Sequence, residues 1–285
     1  MRCFYMQKTK PAADGSYKIH PCGHCIACRK AQATEWGIRN CFESLLHEKT
    51  VFLDLTYDDE HLPASNCPYF SGSLVKEHIP TFMKDLRYYC GSGIRYFCGA
   101  EYGEKTYRPH YHLLVFGIDY HNEVFYDLFY SKSKDLYVGY CKAWPYGNVT
   151  IGNVTPQSCF YVSKYSLKQT KEDYDFLRSY KQQPPFRLMS RNPGIGFDYL
   201  EKIKYQLVQD GFIRFKGSKI RIPRYYFDKL FPPGSDDREA VQMEKQKALI
   251  KINDDFYKNY RGLGKTEYFI NNRLGEQQEK NFLRR

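Results

Sequence analysis

The sequence predicts an α+β fold, in which helices flank a central antiparallel β-sheet. Alternating apolar residues mark strands such as Val51–Tyr57 and His110–Ile118, because every second side chain of a strand faces the same way. Apolar residues three and four positions apart mark helices such as residues 29–48. The order of elements is strand, helix, two-stranded hairpin, then strand and helix. It is typical of an antiparallel sheet covered by helices.

The first half of the chain contains most of the predicted sheet. Its first 28 residues are irregular and include four cysteines. The pattern then predicts, in order, a helix at 29–48, a strand at Val51–Tyr57, a helix at 74–90, strands at Ile94–Glu101 and His110–Ile118, a short helix at 124–130, and a loop that runs into a strand over 135–151.

The second half is predicted to be mostly helical. Thr155 and Pro156 mark a helix start, since threonine caps helix N-termini and proline is favoured at the first helical position. Residues 198–210 and 236–256 are predicted to form two further helices. Between these two helices, residues 212–223 predict a hairpin with one basic face, which would either follow a DNA backbone or simply be solvated.

Composition indicates a folded basic protein. The chain has 285 residues and a net charge of +11, and the simplest partner for that charge is nucleic acid. A membrane surface is an alternative, but no apolar run approaches the ~20 residues that span a bilayer. The first residues lack the apolar segment of a signal peptide, which predicts a cytosolic protein. In a reducing compartment, its ten cysteines indicate metal ligands or buried thiols rather than disulfides.

His110 and His112 form a candidate metal site. Two residues apart on a strand, they face the same side, and neutral imidazoles suit Mn, Zn and, with oxygen ligands, Mg. Glu101 ends the preceding strand, and the turn would fold it back beside them as a third ligand; Glu104, within the turn, is the weaker choice. The alternative interpretation is two polar residues on an exposed strand end.

Tyr161 and Tyr165 form a candidate pair of nucleophiles. Four residues apart on a helix, they share a face with Lys164 and Lys168. With an ordinary pKa near 10, only about one tyrosine in a thousand is ionised at pH 7, and a neighbouring ammonium group lowers that cost. The flanking lysines favour Tyr165 as the nucleophile that acts first. The alternative is an amphipathic helix whose aromatic rings pack on the sheet.

Cys22, Cys25 and Cys28 repeat at the spacing of a zinc-binding turn. Cys3 is the candidate fourth thiolate, with His20, His24 and Cys41 as alternates. A structural zinc is the favoured interpretation, since the N-terminal arm has little apolar content of its own to fold it. An iron–sulfur cluster or reduced, unliganded thiols are the alternatives.

Three motifs together resemble the HUH endonucleases that initiate rolling-circle replication. They are Phe52–Tyr57, the His-hydrophobic-His segment Pro109–Leu114 and the two-tyrosine segment Tyr161–Lys168. The two-tyrosine form is typical of replication initiators of microviruses, the small single-stranded DNA phages. Pro21–Arg29, followed by Trp36 and Glu43, and Met189–Gly196 are similar to the gokushovirus branch. The resemblance covers roughly residues 1–230. One departure is Asp54, where an uncharged residue is more usual. Because Asp54 lies on the side of the strand opposite Leu53 and Leu55, it does not weaken the resemblance.

The resemblance implies the HUH nuclease fold and a specific chemistry. A tyrosine would attack a phosphodiester at the viral origin with the help of Mg or Mn, forming a 5′-phosphotyrosine and leaving a 3′-OH. The second tyrosine would later release and close the circular strand. The implied partners are origin DNA, single-stranded or supercoiled, and the host helicase and polymerase, with no membrane. The implied location is the cytoplasm of an infected bacterial host.

Two other functions remain alternatives. A plasmid or mobilisation nickase would use the same chemistry, but the gokushovirus-like N-terminus disfavours it. A non-catalytic zinc-containing nucleic-acid-binding protein would explain the charge and cysteines, yet would leave the His and Tyr pairs as coincidence. The predicted organisation is a Cys-rich arm and helix at 1–48, an HUH core at 49–182 and a basic C-terminal extension at 183–285.

Overall fold

The computed structural model describes Cys3 and residues 7–11, 19–165 and 171–259, without the side chains of Lys8, Ile19, Tyr165, residues 171–172 and 248–259. The described strands are β1 (Gln7–Lys8), β2 (Ile19–His20), β3 (Thr50–Thr56), β4 (Arg95–Tyr102), β5 (Pro109–Phe116), β6 (Phe125–Ser131), β7 (Leu136–Cys141), β8 (Trp144–Gly152), β9 (Phe186–Met189), β10 (Ile213–Phe215) and β11 (Ser218–Ile220). The described helices are α1 (Ile26–Ser44), α2 (His78–Cys90), α3 (Pro156–Tyr165), α4 (Lys171–Ser179), α5 (Phe197–Lys202), α6 (Lys204–Asp210), α7 (Arg224–Leu230) and α8 (Asp236–Asn259).

Two compact units divide the chain, residues 33–199 and residues 1–32 with 200–285. The larger unit is built on a seven-stranded antiparallel sheet in the order β6-β7-β8-β3-β5-β4-β9, which confirms the predicted α+β class. The three-part organisation expected from the sequence stays a prediction. Within the described part of the chain, no helix is both long and apolar enough to cross a membrane.

One face of this sheet forms the main hydrophobic core. Alternate residues of β3 and β5, including Leu53, Leu55 and Tyr111, are fully buried there and pack with Phe82 and Leu86 of α2. This arrangement confirms the predicted alternation in both strands. Each fully buried large apolar side chain contributes about 1.5–3 kcal/mol to folding, so this face anchors the strands that position the other face.

Helices α1 and α3 supply side chains to the opposite face of the sheet. The Trp36 ring of α1 lies 5.2 Å from the Phe97 ring, and Tyr161 of α3 lies 6.2 Å from Phe52, between centroids. Gly37 permits the close approach of α3, because a Cβ at this position would stand 2.5 Å from the Phe160 ring. The polar residues of the sheet lie on this face, which α1 and α3 contact.

The segment 124–151 differs from its prediction. The short helix expected at 124–130 is wrong, since this segment contains the edge strand β6. Residues 135–151 were expected to be a loop that runs into a strand; β8 confirms the strand, but the expected loop contains a further strand, β7. A bulge interrupts the pairing of β6 with β7 between Tyr126 and Phe129, and Asp127 there has φ of 51°. The extra residue breaks the two-residue alternation that would identify a strand.

The smaller unit contains two short hairpins and most of the C-terminal helices. Strands β1 and β2 pair antiparallel, as do β10 and β11, which confirms the hairpin predicted near Gly217. In the second hairpin Ile213 pairs with Ile220 on one side, and Arg214 pairs with Lys219 on the exposed side. Arg214 also holds Asp210 with two hydrogen bonds of 2.7 and 2.8 Å, which neutralises part of that basic face.

Candidate active site and metal centres

Strand pairing brings the candidate metal ligands together at one end of the sheet. Glu101 of β4 pairs with His110 of β5, as the sequence predicts, and Asp54 of β3 pairs with His112. Glu104 is exposed in the turn between β4 and β5. The two imidazole rings are nearly parallel, at an interplanar angle of 7° and 6.4 Å between centroids. Both therefore face the same side of the strand.

Hydrogen bonds orient both imidazoles. His112 Nδ1 donates to the Asp54 carboxylate, and its Nε2 lies 3.2 Å from Glu101 Oε1. His110 Nδ1 donates to the carbonyl oxygen of Arg108 at 2.7 Å. Because both Nδ1 atoms contact oxygen acceptors, each ring offers Nε2 as its metal-ligating atom. Metal-binding histidines are typically oriented by such partners.

The surroundings shift the pKa values of His110 and His112 in opposite directions. Burial would lower the pKa of His112, but hydrogen bonds to Asp54 and Glu101 outweigh it and raise the pKa to about 9. Burial lowers the pKa of His110, and the neighbouring His112 lowers it further. At neutral pH without metal, His112 is therefore an imidazolium whose Nδ1–H donates to Asp54 and whose Nε2–H donates to Glu101, and a metal ion at Nε2 must displace the Nε2 proton.

Asp54 is the site residue that sequence reasoning misses. The family pattern marks it only as a departure of little consequence, yet its carboxylate contacts a candidate ligand directly. The available signal is strand alternation, which places Asp54 on the face opposite Leu53 and Leu55. Antiparallel pairing with β5 then brings it beside His112.

Helix α3 places one of the two predicted tyrosines beside the histidines. The Tyr161 ring lies 5.5 Å from the His112 ring, edge to face, and is 44% exposed. Lys164, one turn further along, is exposed. Tyr165 is the last residue of α3; its side chain, and the whole of Lys168, lie outside the described residues.

Capping and a buried polar contact fix the start and rotation of α3. The backbone N–H of Ser158 donates to Thr155 Oγ1 at 3.2 Å, which confirms the predicted cap ahead of Pro156. On the buried side, Asn40 Nδ2 of α1 donates to Ser163 Oγ at 3.1 Å, and both residues are fully buried. Because Ser163 faces inward, Tyr161, two positions earlier, is turned toward the edge where solvent and His112 meet.

The donor set fits a divalent metal at an open site. Two imidazole Nε2 atoms and a carboxylate are a common ligand set for catalytic metals, and the exposed side leaves room for phosphate oxygens. Among the described residues, only the cysteine cluster brings three or more ligand atoms within 4.8 Å of one another. At the histidine site, His112 Nε2 and Glu101 Oε1 are in direct contact at 3.2 Å.

Four cysteine sulfurs converge in the smaller unit. The Sγ atoms of Cys3, Cys22, Cys25 and Cys28 all lie within 4.8 Å of one another, so this cluster can hold a metal ion. The sulfurs of Cys22 and Cys28 are 3.9 Å apart, and those of Cys25 and Cys3 are 3.8 Å apart. Tetrahedral zinc, with Zn–S bonds of about 2.3 Å, separates its sulfurs by about 3.8 Å, which the cluster matches.

The β1–β2 hairpin brings Cys3 to the other three cysteines. The backbone N–H of Cys22 donates to Cys3 Sγ, and that of Cys25 donates to Cys22 Sγ, both at 3.3 Å. Cys3 is therefore the fourth member, in preference to the alternates: His20 and His24 are exposed, and Cys41 is buried beside Cys159. Burial raises the pKa of both Cys22 and Cys28, so these thiols need a cation to ionise.

Glu43 joins the two accessory segments that resemble the gokushovirus branch. Its buried carboxylate accepts hydrogen bonds from Arg95, from His47 Nε2 at 3.1 Å and from the backbone N–H of Gly196 at 2.6 Å. Burial would raise the pKa of Glu43, but these three donors hold it below its usual value. Arg39 of α1 also donates to the carbonyl oxygen of Ile195. The segment near residue 195 is thereby fixed to α1 and the sheet.

Comparisons with known proteins agree with these motifs. The family model of the ORF2-type replication-associated proteins matches residues 50–170, which contain β3, β5 and α3. Replication-associated protein VP4 of Bdellovibrio phage phiMH2K is 32% identical over 263 residues, covering 85% of this chain and 80% of the relative.

Two further relatives have the same description. Replication-associated protein ORF2 of Spiroplasma virus 4 is 31% identical over 229 residues, or 72% of this chain and 66% of the relative. Replication-associated protein ORF4 of Chlamydia phage 1 is 28% identical over 228 residues, or 77% of this chain and 55% of the relative. No solved structure gives a significant match. The chain therefore belongs to the family of microvirus-type phage replication-associated proteins, the gokushovirus-like replication initiators.

Proposed function

We propose that the chain is an endonuclease of the HUH type that cuts one DNA strand at the viral origin with a tyrosine nucleophile. The observation that carries the proposal is that β4, β5 and α3 place Glu101, His112 and Tyr161 side by side. His112 Nε2 lies 3.2 Å from the Glu101 carboxylate, and the Tyr161 ring lies 5.5 Å from the His112 ring. Nucleophile and metal-ligand candidates thus share one partly exposed site.

His110, His112 and Glu101 are the residues that would hold Mg or Mn. Such an ion, when bound, polarises the scissile phosphate and stabilises charge on the leaving oxygen. Asp54 acts through His112: it accepts the Nδ1 proton and holds the ring with Nε2 toward Glu101. The carbonyl of Arg108 does the same for His110. These contacts keep both rings in place before the ion binds.

In the proposed cleavage step the phenol oxygen of Tyr161 forms a bond to phosphorus as the bond from phosphorus to the 3′-oxygen breaks. The phenolic proton leaves, and the 3′-oxygen departs as a hydroxyl group, so a 5′-phosphotyrosine and a 3′-OH result. Lys164, and with it Lys168, would stabilise the phenolate or hold the phosphate. We assign the first cut to Tyr161, because its ring lies next to His112, although the flanking lysines favour Tyr165.

Two tyrosines one helical turn apart suit rolling-circle replication. The 3′-OH would prime a host polymerase, with a host helicase opening the duplex, in the cytoplasm of the infected bacterium. After one round, Tyr165 would attack the regenerated origin, and the released 3′-OH would attack the first phosphotyrosine to close the circle. The phosphotyrosine conserves the energy of the cut bond, so closure needs no ATP. Zinc on Cys3, Cys22, Cys25 and Cys28 would have a structural role.

The test is an adduct assay on single-stranded DNA covering the viral plus strand, with Mn²⁺, on a denaturing gel with and without EDTA. We expect a metal-dependent protein–DNA adduct that the double variant Tyr161→Phe/Tyr165→Phe abolishes, a loss of about a thousandfold or more. The matched control is Tyr88→Phe/Tyr89→Phe, two exposed tyrosines in α2 that should leave the adduct unchanged. Between the single variants, Tyr161→Phe should lose the first adduct.

Binding without any adduct across the whole plus strand would sink the nuclease proposal. The remaining function would then be the non-catalytic zinc-containing nucleic-acid-binding protein, which the cysteine geometry alone supports.

A further inference from the structure

The edge hairpin of the large sheet exposes an unusual number of aromatic rings. Tyr126 and Phe129 of β6 and Tyr140 of β7 are 43%, 60% and 43% exposed. We call these three residues the aromatic face. The rings of Tyr126 and Tyr140 stack on each other across the two strands, with centroids 5.6 Å apart and planes at 23°. Exposing large rings is unfavourable in water, which favours a role in binding.

Strand register places the aromatic face on the same side of the sheet as the histidine site. Phe129 pairs with Val138, and Val138 pairs with Thr150 of β8. Thr150 pairs with Asp54, and Asp54 pairs with His112. Directly paired residues of antiparallel strands share a face, so one continuous row runs from Phe129 to His112. Tyr140, two residues after Val138, and its partner Tyr126 also lie on that side.

The same hairpin has a second aromatic pair on the opposite side. Tyr137 pairs with Ile151, a core residue, and with Tyr130 of β6. Tyr130 and Tyr137 are 50% and 36% exposed, comparable with the aromatic face. Tyr137 stacks on Tyr120, and the Tyr130 hydroxyl donates to Asp135. This pair therefore provides a control in the same hairpin, matched in chemistry and exposure but facing away from the histidines.

Nucleic-acid bases are the partners that best fit the aromatic face. Flat aromatic rings accept any base by stacking. Of the aliphatic side chains of the hairpin, Leu128 packs against the core, and Leu136 and Val138 are half-buried. Lys132 and Lys134 lie in the turn of the hairpin and Lys142 at its other end, and the exposed acidic residues of the same segment are Glu123, Asp127 and Asp135. Lysines at both ends can pair with the phosphates of a strand whose bases stack between them.

We propose that the aromatic face binds the bases of the single-stranded DNA that leads to the cut phosphate. This inference rests on the proposed nuclease function for the identity of the strand. At about 4.8 Å per strand, Tyr140 and Phe129 lie about 14 and about 19 Å along the sheet from His112. At the ~3.4 Å rise of a stacked strand, the contacted bases lie within about six nucleotides of the nick.

The experiment measures the equilibrium binding of full-length protein, in buffer without added Mg²⁺ or Mn²⁺, to a labelled oligothymidine and to an abasic strand of the same length. Leaving these ions out keeps cleavage out of the measurement. The variant is Tyr126→Leu/Phe129→Leu/Tyr140→Leu, which keeps apolar bulk but removes the planar rings. The control variant is Tyr130→Leu/Tyr137→Leu. We expect the first variant to bind oligothymidine at least about 30-fold more weakly, the lower limit for losing two stacked bases.

Base dependence separates stacking from charge attraction. Wild type and the control variant should prefer oligothymidine over the abasic strand, and the aromatic-face variant should lose that preference. Equal losses in both variants, or no loss in either, would overturn the proposal. A change of sedimentation rather than of DNA affinity would overturn it too, since the surface would then be a contact between protein copies.

The nuclease proposal is tested separately, by formation of the tyrosine adduct on an oligonucleotide too short to reach the hairpin. An intact adduct together with unchanged oligothymidine binding would therefore reject the aromatic-face inference alone.

Discussion

Four cysteine sulfurs lie within 4.8 Å of one another, whereas the rings of His110 and His112 stand 6.4 Å apart between centroids. The four cysteine sulfurs converge, and the cysteines are buried or half-buried, as in a closed structural site. The histidine site is held instead by hydrogen bonds to Asp54, Glu101 and a backbone carbonyl, and one side is open. A metal bound by the cysteines would supply folding energy, whereas hydrogen bonds within the protein hold the histidine site.

The largest expected effect is loss of the cysteine-bound metal. Cys28→Ser, or strong chelation, should unfold the N-terminal arm, since structural zinc supplies about 10 kcal/mol or more of folding free energy in small zinc-binding units. The measurement is zinc content by mass spectrometry together with proteolysis of residues 1–32. Cys90→Ser, at a half-buried thiol outside the cluster, is the control and should keep its zinc. A fully folded arm in zinc-free Cys28→Ser would contradict the assignment.

The next effect concerns the stability of the larger unit, residues 33–199. Glu43→Gln leaves Arg95 partly buried without its carboxylate and should lower the free energy of unfolding by about 3–5 kcal/mol. Chemical denaturation of metal-free protein measures it.

The same contact predicts an acid dependence. Because the folded pKa of Glu43 is depressed, its contribution is present above the unfolded pKa of about 4.3 and is lost as pH falls through the folded value. Glu43→Gln should lack that part of the acid transition. An acid transition in Glu43→Gln that matches wild type would contradict a contribution of this carboxylate to stability.

A smaller effect should appear when Mn²⁺ is added. If the histidine site binds the ion only in the folded state, Mn²⁺ at a hundred times its dissociation constant should add about 2.7 kcal/mol of stability. Dialysis against buffer without Mn²⁺ should reverse this while zinc stays bound. His112→Ala should remove the stabilisation, and His61→Gln, an exposed histidine paired with Asp58, should keep it. Thermal unfolding measures the difference, and equal stabilisation of His112→Ala would place the ion elsewhere.

The smallest effect concerns Asp54. Asp54→Asn should weaken Mn²⁺ binding about tenfold, the lower range for loss of a partner that orients a ligand. The pKa of His112 is raised to about 9, so its ionic contribution to stability is complete below the unfolded value of about 6.5 and is lost as pH rises toward 9. The affinity of the site for Mn²⁺ should rise as pH rises over the same window, because the ion must displace the proton on His112 Nε2. Titration calorimetry at several pH values tests this, and a pH-independent affinity would contradict it.

Sequence patterns predict the residues whose spacing is local. The His110–His112 pair follows from strand alternation, and the Tyr161 helix follows from its Thr-Pro start. The contact of Asp54 with His112 joins residues 58 positions apart, so only the pairing of β3 with β5 reveals it. Cys3 likewise reaches the other cysteines through a hairpin, which is why the sequence leaves alternates open.

The missed strand β6 has a local cause. Val124, Phe125, Leu128 and Phe129 repeat at helical spacing, and this pattern predicts a helix. In the structure, the bulge at Asp127 adds one residue, so that Phe125 and Leu128 both reach the core from a strand. A bulge depends on the partner strand and on a left-handed backbone conformation, neither of which the apolar pattern records.

The paired row from Phe129 to His112 also restricts how this protein can evolve. A one-residue insertion or deletion inside β3, β5 or β8 would shift the register and exchange the two faces of that strand. In β3, Asp54 would turn into the hydrophobic core, while Leu53 and Leu55 would move to the face that α1 and α3 contact. Such a change would damage folding and the candidate site in one step, so these strands should diverge between phages by substitution alone. Changes of length should concentrate in the connecting turns.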